Sequence, residues 1–208
     1  MPKLLTRQEK RAQTKARLID AAAKVFARRG YHGASVEEVA AEAGFSTGAV
    51  YSNFSGKEEL FLALADRKVA DRVAETQALA EAAERGDSPG AEAAGQFRAF
   101  LERDPDWPVL FYEFWSYGVR NARIRGEFRE RRREVRDALA AALERVADQL
   151  GFELRFPAPQ LATAISATLN GLAFERAADP DAVPDDVFEE FISAVLACSV
   201  AVPEEAPQ

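Results

Sequence analysis

Apolar residues recur every three or four positions along most of the chain, the period of an amphipathic helix, and the two-residue alternation of a half-buried strand is missing. Leu18, Ala22, Val25 and Phe26 make one such stripe, on a helix expected over residues 8–29 that Gly30 ends. Ser35, with Glu38 three residues on, has the spacing of a capping box, in which side chains and backbone amides satisfy each other at a helix start. A short helix over 36–43 follows, Gly44 stops it, and Phe45 anchors the turn. Ser46 then caps a second short helix over 47–53. Ser55 and Glu58 repeat the capping-box spacing at the start of a helix over 56–84, which at 1.5 Å per residue would run roughly 40 Å and link two parts of the molecule.

Gly86-Asp87-Ser88-Pro89-Gly90 is the clearest internal break. Beyond it, Pro and Gly punctuate helices expected over 91–103, 107–120, 123–150, 159–177 and 185–202. Residues 203–208, with two Pro and two Glu, read as a disordered tail. The fold class is therefore all-α, with about nine helices: a three-helix head over 1–56 and a larger helical body over 57–202.

Charge adds a function to this picture. The chain of 208 residues carries −7, yet residues 1–56 hold nine Lys and Arg against five Asp and Glu, a net of +4 that leaves −11 for the rest. Affinity for DNA follows the local potential of the contacting face, so a basic head on an acidic body is compatible with nucleic acid. Other chemistries are excluded: one histidine, His32, and one cysteine, Cys198, do not make a zinc site, and no phosphate-binding glycine loop or nucleophile motif is visible. No enzyme, metal or cofactor is expected, and Cys198 reads as a reduced thiol packed in a helix. The start has no apolar signal region, and the nearly apolar stretch 191–202 is too short to cross a bilayer, so a cytoplasmic protein without a membrane partner is expected.

Two short helices joined by a glycine turn behind a packing helix are the parts of a helix-turn-helix, whose second helix lies in the major groove. The residues filling the pattern are Thr14 to Arg29, Gly30-Tyr31, Ser35-Val36-Glu37-Glu38-Val39-Ala40, Ala43-Gly44-Phe45-Ser46, Gly48-Ala49-Val50-Tyr51, Phe54 and Lys57-Glu58-Glu59-Leu60. This run closely resembles the DNA-binding domain of the TetR family of transcriptional regulators, over about the first 65 residues. The resemblance implies a homodimer on double-stranded operator DNA, with a C-terminal domain that dimerises and binds a small-molecule effector. It also places Thr47, Gly48, Tyr51, Ser52 and Asn53 on the recognition helix, where the family often has His or a second Tyr at the Asn53 position. Gly48 lets backbones approach, Thr47 and Ser52 offer hydroxyls, Asn53 offers an amide, and Tyr51 offers a ring with a phenol donor. Lys57, beside the exposed amides of a helix start, suits a phosphate, and Ser35 and Ser46 combine capping with DNA contact. Arg7, Lys10, Arg11 and Lys15 reach nearby phosphates or raise the local potential.

In the body, Trp107 to Val119 is apolar on nearly every side of a helix, which argues for burial all round. Phe97, Phe100, Phe128 and Phe174 are candidate partners for its rings, as plain core or as the wall of a cavity. Phe111, Trp115 and Phe174 are the candidate effector contacts, with Glu113 and Asn170 as polar groups that need partners, either a ligand or, for Glu113, an arginine. The basic run over 129–136 alternates with acids and reads as a solvated helix face. Leu161, Ile165, Leu169 and Leu172, then Phe188, Phe191, Ile192, Val195 and Leu196, mark the last two helices, which the resemblance pairs with their copies across a dimer interface. The function expected is a repressor released from a palindromic operator by a small apolar or aromatic effector; the alternative is a DNA-bound module that recruits a protein partner without an effector.

Overall fold

The computed structural model describes residues 6–184 and, beyond them, 186, 187, 190, 191, 194 and 195. Among the described residues eight helices have defined bounds and there is no β-strand: α1 (Arg7–Gly33), α2 (Val36–Ala43), α3 (Thr47–Tyr51), α4 (Lys57–Glu84), α5 (Pro89–Arg103), α6 (Trp107–Arg120), α7 (Ala122–Leu150) and α8 (Ala158–Ala178). The helix expected over 185–202 falls largely outside the described residues, as do Phe188, Ile192, Leu196, Cys198 and the tail over 203–208. Two compact units form, one from residues 1–68 with 110–129 and one from 69–109 with 130–208. The unit that contains the head thus takes in most of α6 and the first turns of α7, and is larger than the segment 1–56 that the motif marks.

Local chemistry explains the first unit's helix starts. At α1, Thr6 Oγ1 accepts from the Glu9 amide at 3.2 Å while a Glu9 carboxylate oxygen accepts from the Thr6 amide at 2.6 Å. Ser35 and Glu38 form the expected reciprocal pair at α2, both bonds at 3.1 Å. At α4 the expected partner is corrected: the carboxylate that accepts from the Ser55 amide, at 2.6 Å, is that of Glu59, four residues on. Glu58 instead turns to α6 and α7, where its carboxylate takes the Tyr117 hydroxyl and the Arg123 guanidinium.

Every one of the largest fully buried side chains among the described residues belongs to this unit, including Leu18, Val25 and Phe26 of α1, Val39 of α2, Val50 of α3, Phe61 of α4 and Phe114 of α6. Removing each such side chain from water contributes about 1.5–3 kcal/mol. Their centre is aromatic. The Phe61 and Phe114 rings stack with centroids 3.8 Å apart, and Tyr31 meets both edge-on at 5.4 and 5.0 Å, with Phe26 at 5.9 Å.

Tyr31 reaches that position because α1 breaks just before it. Gly30 takes φ 69° and ψ 169°, a conformation that a side chain strongly disfavours. The break turns the Tyr31 amide toward α6, where a Glu113 carboxylate oxygen accepts it at 2.6 Å. A Cβ at residue 30 would lie 2.8 and 2.9 Å from the two Glu113 oxygens.

The second unit holds two smaller cores. Ala140, Leu143, Leu161, Ala162 and Ile165 join α7 to α8, while Phe97, Phe100, Ala173 and Val183, with Trp107 against them, join α5 to α8 and the chain after it.

Gly30→Ala is expected to destabilise the protein by at least about 1–3 kcal/mol through backbone strain alone. Urea denaturation measures it. Combining it with Glu113→Ala should relieve the steric part and leave the backbone part, so a double variant as stable as wild type would contradict this account.

Candidate nucleic-acid interface

The turn between α2 and α3 is built to be tight. Gly44 sits in the left-handed region at φ 71°, its amide donates to Ala41 O at 3.1 Å, and the Phe45 amide donates to Ala40 O at 2.9 Å. Arg17 of α1 fastens the turn: one guanidinium nitrogen donates to Ala43 O at 3.1 Å, at the negative end of α2, and the group lies 4.7 Å from the Phe45 ring centroid. Ser46 Oγ then caps α3 by accepting from the Ala49 amide at 3.2 Å. Val50 and Phe54 point into the core and fix the opposite face of α3 outward.

On that outward side Gly48, Tyr51 and Ser52 are exposed, Thr47 and Asn53 half-buried, and Tyr51 leaves 53% of its surface open. Ser52 Oγ donates to Ala49 O at 2.8 Å, and the Asn53 amide nitrogen donates to the same carbonyl at 2.8 Å and to Ser52 Oγ at 3.2 Å. These two side chains fold back on the end of their own helix, whereas Tyr51 projects away from it. Lys15, one of the basic residues of α1, places its ammonium 5.0 Å over the Phe54 ring, at the same edge.

Lys57 has a structural task that its position in the sequence did not reveal. Its ammonium donates to His32 O at 3.1 Å and Ala34 O at 2.9 Å and lies 4.9 Å from the Tyr31 ring centroid. It ties the start of α4 to the turn that leads into α2, and burial lowers its pKa from the ordinary lysine value. Lys24 and Arg28 pair with Glu42, and Arg29 pairs with Glu38. The positive charge of α1 that is not engaged with α2 therefore lies toward the start of that helix.

The candidate effector residues divide between the units. Phe111 and Trp115 come together in the first, their rings 5.3 Å apart and each within 6 Å of Phe128 (5.6 and 5.8 Å). Glu113, expected to meet a ligand or an arginine, has a backbone amide as its partner. Phe174 and Asn170 belong to the second unit, where Phe174 is 39% exposed and the Asn170 amide donates to Ser166 O at 2.6 Å. Phe97 and Phe100, expected to serve the α6 rings, pack with Trp107 at the start of that helix and also enclose Arg72 of α4, whose guanidinium lies 3.9 Å over Phe100 and bonds Glu75 at 3.0 Å. Its burial pushes the Arg72 pKa down, and Glu75 opposes that shift. An arginine inside a helix otherwise read only as a link was the sequence signal for this site.

The sequence profile of bacterial regulatory proteins of the tetR family matches residues 18–64, and the profile of the C-terminal domain of BetI-type transcriptional repressors matches 95–199. The chain belongs to the TetR family. Its relatives include the HTH-type transcriptional repressor AcnR of Corynebacterium diphtheriae, 31% identical over 164 residues that make up 79% of this chain and 81% of that one. The transcriptional activator FasR of Mycolicibacterium smegmatis is 38% identical over 110 residues, 52% of this chain, and the match spans about half of FasR, 48%. The solved structure of a transcriptional regulator from Pseudomonas aeruginosa PAO1 aligns with a TM-score of 0.72 at 25% identity, over 90% of each chain. This TetR-family protein is a transcriptional regulator, and the family's members are regulators rather than enzymes. Among the described residues no helix is long and apolar enough to cross a membrane, and no cluster of His, Cys, Asp and Glu is suited to a metal.

Burial among the rings raises the Tyr31 pKa to about 12, with the neighbouring Tyr117 adding to the shift. The raised value favours the neutral phenol in the folded state, so its contribution to stability is intact below about pH 10 and is lost as pH rises through 12. Denaturation midpoints measured across that window should fall more steeply for wild type than for Tyr31→Phe; equal slopes would contradict the assignment.

Proposed function

We propose that the protein is a repressor that grips a palindromic operator as a cytoplasmic homodimer and is released by a small apolar or aromatic effector. The observation that carries the DNA reading is the outward face of α3: a capped helix locked from behind by Val50 and Phe54, with Thr47, Gly48 and Tyr51 turned to solvent. A helix so held enters the major groove end-on, where hydroxyls and a phenol meet base edges and flanking phosphates. Ser35 and Ser46 keep their capping bonds while their exposed sides face the backbone, and Lys57 adds charge at the edge of the footprint. Ser52 and Asn53, bonded to Ala49 O, shape the end of the helix; Ser52 Oγ keeps a lone pair for the DNA, whereas Asn53, with both amide protons engaged and Oδ1 buried, reaches it only by releasing those bonds. The repressor sense is supported by the relative AcnR, which is a repressor by name.

The effector reading rests on Phe111 and Trp115, which with Phe128 form an aromatic group on α6 and α7. A ligand held there would act by binding better to a conformer whose recognition helices no longer match the operator. A second reading, a module that recruits a protein and has no effector, is favoured by Glu113 and Asn170. Both polar groups expected to address a ligand are bonded within the protein.

Tyr51→Ala should weaken binding to a selected operator by about 1–3 kcal/mol while leaving affinity for random DNA nearly unchanged. A folded variant that binds both like wild type would contradict the recognition-helix assignment.

Apolar and aromatic compounds titrated against Trp107 and Trp115 fluorescence should bind the free protein about 5–150-fold more tightly than the operator complex, because coupling is reciprocal. Equal affinity in both states would exclude release, and binding unaffected by Trp115→Ala would move the effector site elsewhere.

A further inference from the structure

The body of this chain is acidic, yet residues 116–126 hold three arginines, Arg120, Arg123 and Arg125, and no Asp or Glu. This stretch is the corner between α6 and α7, and it packs in the same compact unit as the head. Residues 1–68 and 110–129 together carry sixteen Lys and Arg against ten Asp and Glu, a net of +6 that leaves −13 for the rest of the chain. The charge boundary therefore follows the packed unit, with the corner on the basic side, and is sharper there than at residue 56.

The corner is capped by Asn121 and open to solvent. Asn121 Oδ1 accepts from the Arg123 and Ile124 amides at 3.2 and 3.4 Å, its amide nitrogen reaches Tyr117 Oη at 3.3 Å, and Ile124 is fully buried. All three arginines are exposed. Two adjoining clefts meet at this corner and share His32 and Tyr117. One, of about 500 Å³, sets Arg120 and Asn121 opposite His32 in the last turn of α1. The other, of about 590 Å³, sets Arg123 opposite Ser55, Gly56 and Lys57, the turn that follows the recognition helix. Glu58 is the acid that lines it, and its carboxylate is already engaged by Arg123 and Tyr117. Arg123 is thus a positioning residue that holds the corner against α4, and the charge of Arg120 and Arg125 is left to face outward.

We propose that the α6–α7 corner is a second DNA-contacting surface, on which Arg120 and Arg125 take backbone phosphates of the duplex outside the half-site held by α3. The inference rests on the operator reading above. A guanidinium bonds two oxygens of a phosphate at once, and each phosphate neutralised releases a condensed counterion, so such contacts lengthen the footprint and steepen its salt dependence without reading sequence.

The test uses the full-length protein and two duplexes that carry a palindrome selected from random DNA, one trimmed to the palindrome and one extended by about ten base pairs, one helical turn, on each side. Wild type should bind the longer duplex more tightly and with the steeper salt slope. In Arg120→Ala/Arg125→Ala the slope on the longer duplex should fall by roughly two to four per dimer, at about 0.9 per phosphate, with roughly tenfold weaker binding near physiological salt. Binding to the trimmed duplex should not change, and Arg120→Lys/Arg125→Lys should keep most of the salt slope. Equal loss on both duplexes would show that the arginines act by shaping the head, and no loss on either would show that the corner does not touch DNA; each overturns the proposal. Saturable binding of inorganic phosphate by the DNA-free protein, abolished in the alanine variant, would assign the corner to a small phosphorylated molecule and overturn it as well. If no palindrome is enriched at all, the operator reading falls and this inference falls with it, an outcome distinct from the other three.

Discussion

The head of this TetR-family regulator depends on one hydrogen bond across 82 residues of sequence, from the Tyr31 amide to the Glu113 carboxylate. A helix-turn-helix needs α1 to stop and the chain to turn sharply toward α2. Gly30 allows the stop by adopting a positive φ, but the break strips the next amide of its helical acceptor. An unpaired amide in an aromatic core would cost about 1–3 kcal/mol, whereas a bond to an ionised carboxylate contributes about 1.5–3 kcal/mol. Glu113 supplies that acceptor from α6 and, with Phe114 and Tyr117 one turn apart on the same helix, surrounds Tyr31 on several sides. The DNA-binding motif is therefore completed by a helix that the sequence assigns to the body.

That dependence sets the orientation of the short α3. Five residues of α3 have little helical stability of their own, so their orientation comes from the core beneath Val50 and Phe54 and from the turns on either side. Lys57 and Arg17 act on those turns in the same manner, each placing a cation on carbonyl oxygens left free where a helix ends. In the proposed mechanism the same α6 carries Phe111 and Trp115, so a ligand that shifts this helix alters the acceptor and the rings on which the end of α1 rests.

Much of this fold is written in local spacing. The Ser35–Glu38 box, the Ser46 cap, Gly30 and Gly44 involve residues no more than a few positions apart, and their helices stand where that chemistry puts them. Thr6 and Glu9 have the same spacing and were equally legible, though α1 was expected to begin two residues after the cap. The Ser55 box shows where spacing alone runs out. Two glutamates follow, and which one turns back is decided by Tyr117 and Arg123, distant residues that claim Glu58. Glu113, Lys57 and Arg72 were obscure for the same reason, since each is paired through tertiary contacts that carry no periodic signal. The aromatic stretch on α6 was legible as a source of core rings, but the burial expected all round is corrected: Val109 and Val119 are exposed and Trp107, Tyr112 and Trp115 half-buried, because a helix apolar on all sides does not say which face the core will take.

The measurement closest to the central claim is selection of bound fragments from random-sequence DNA by the purified full-length protein. The account predicts enrichment of an inverted repeat whose half-site centres lie about one helical turn, or a multiple of it, apart, as two symmetry-related recognition helices require. Recovery of a site without two-fold symmetry, or no enrichment over the starting pool at moderate salt, would contradict it.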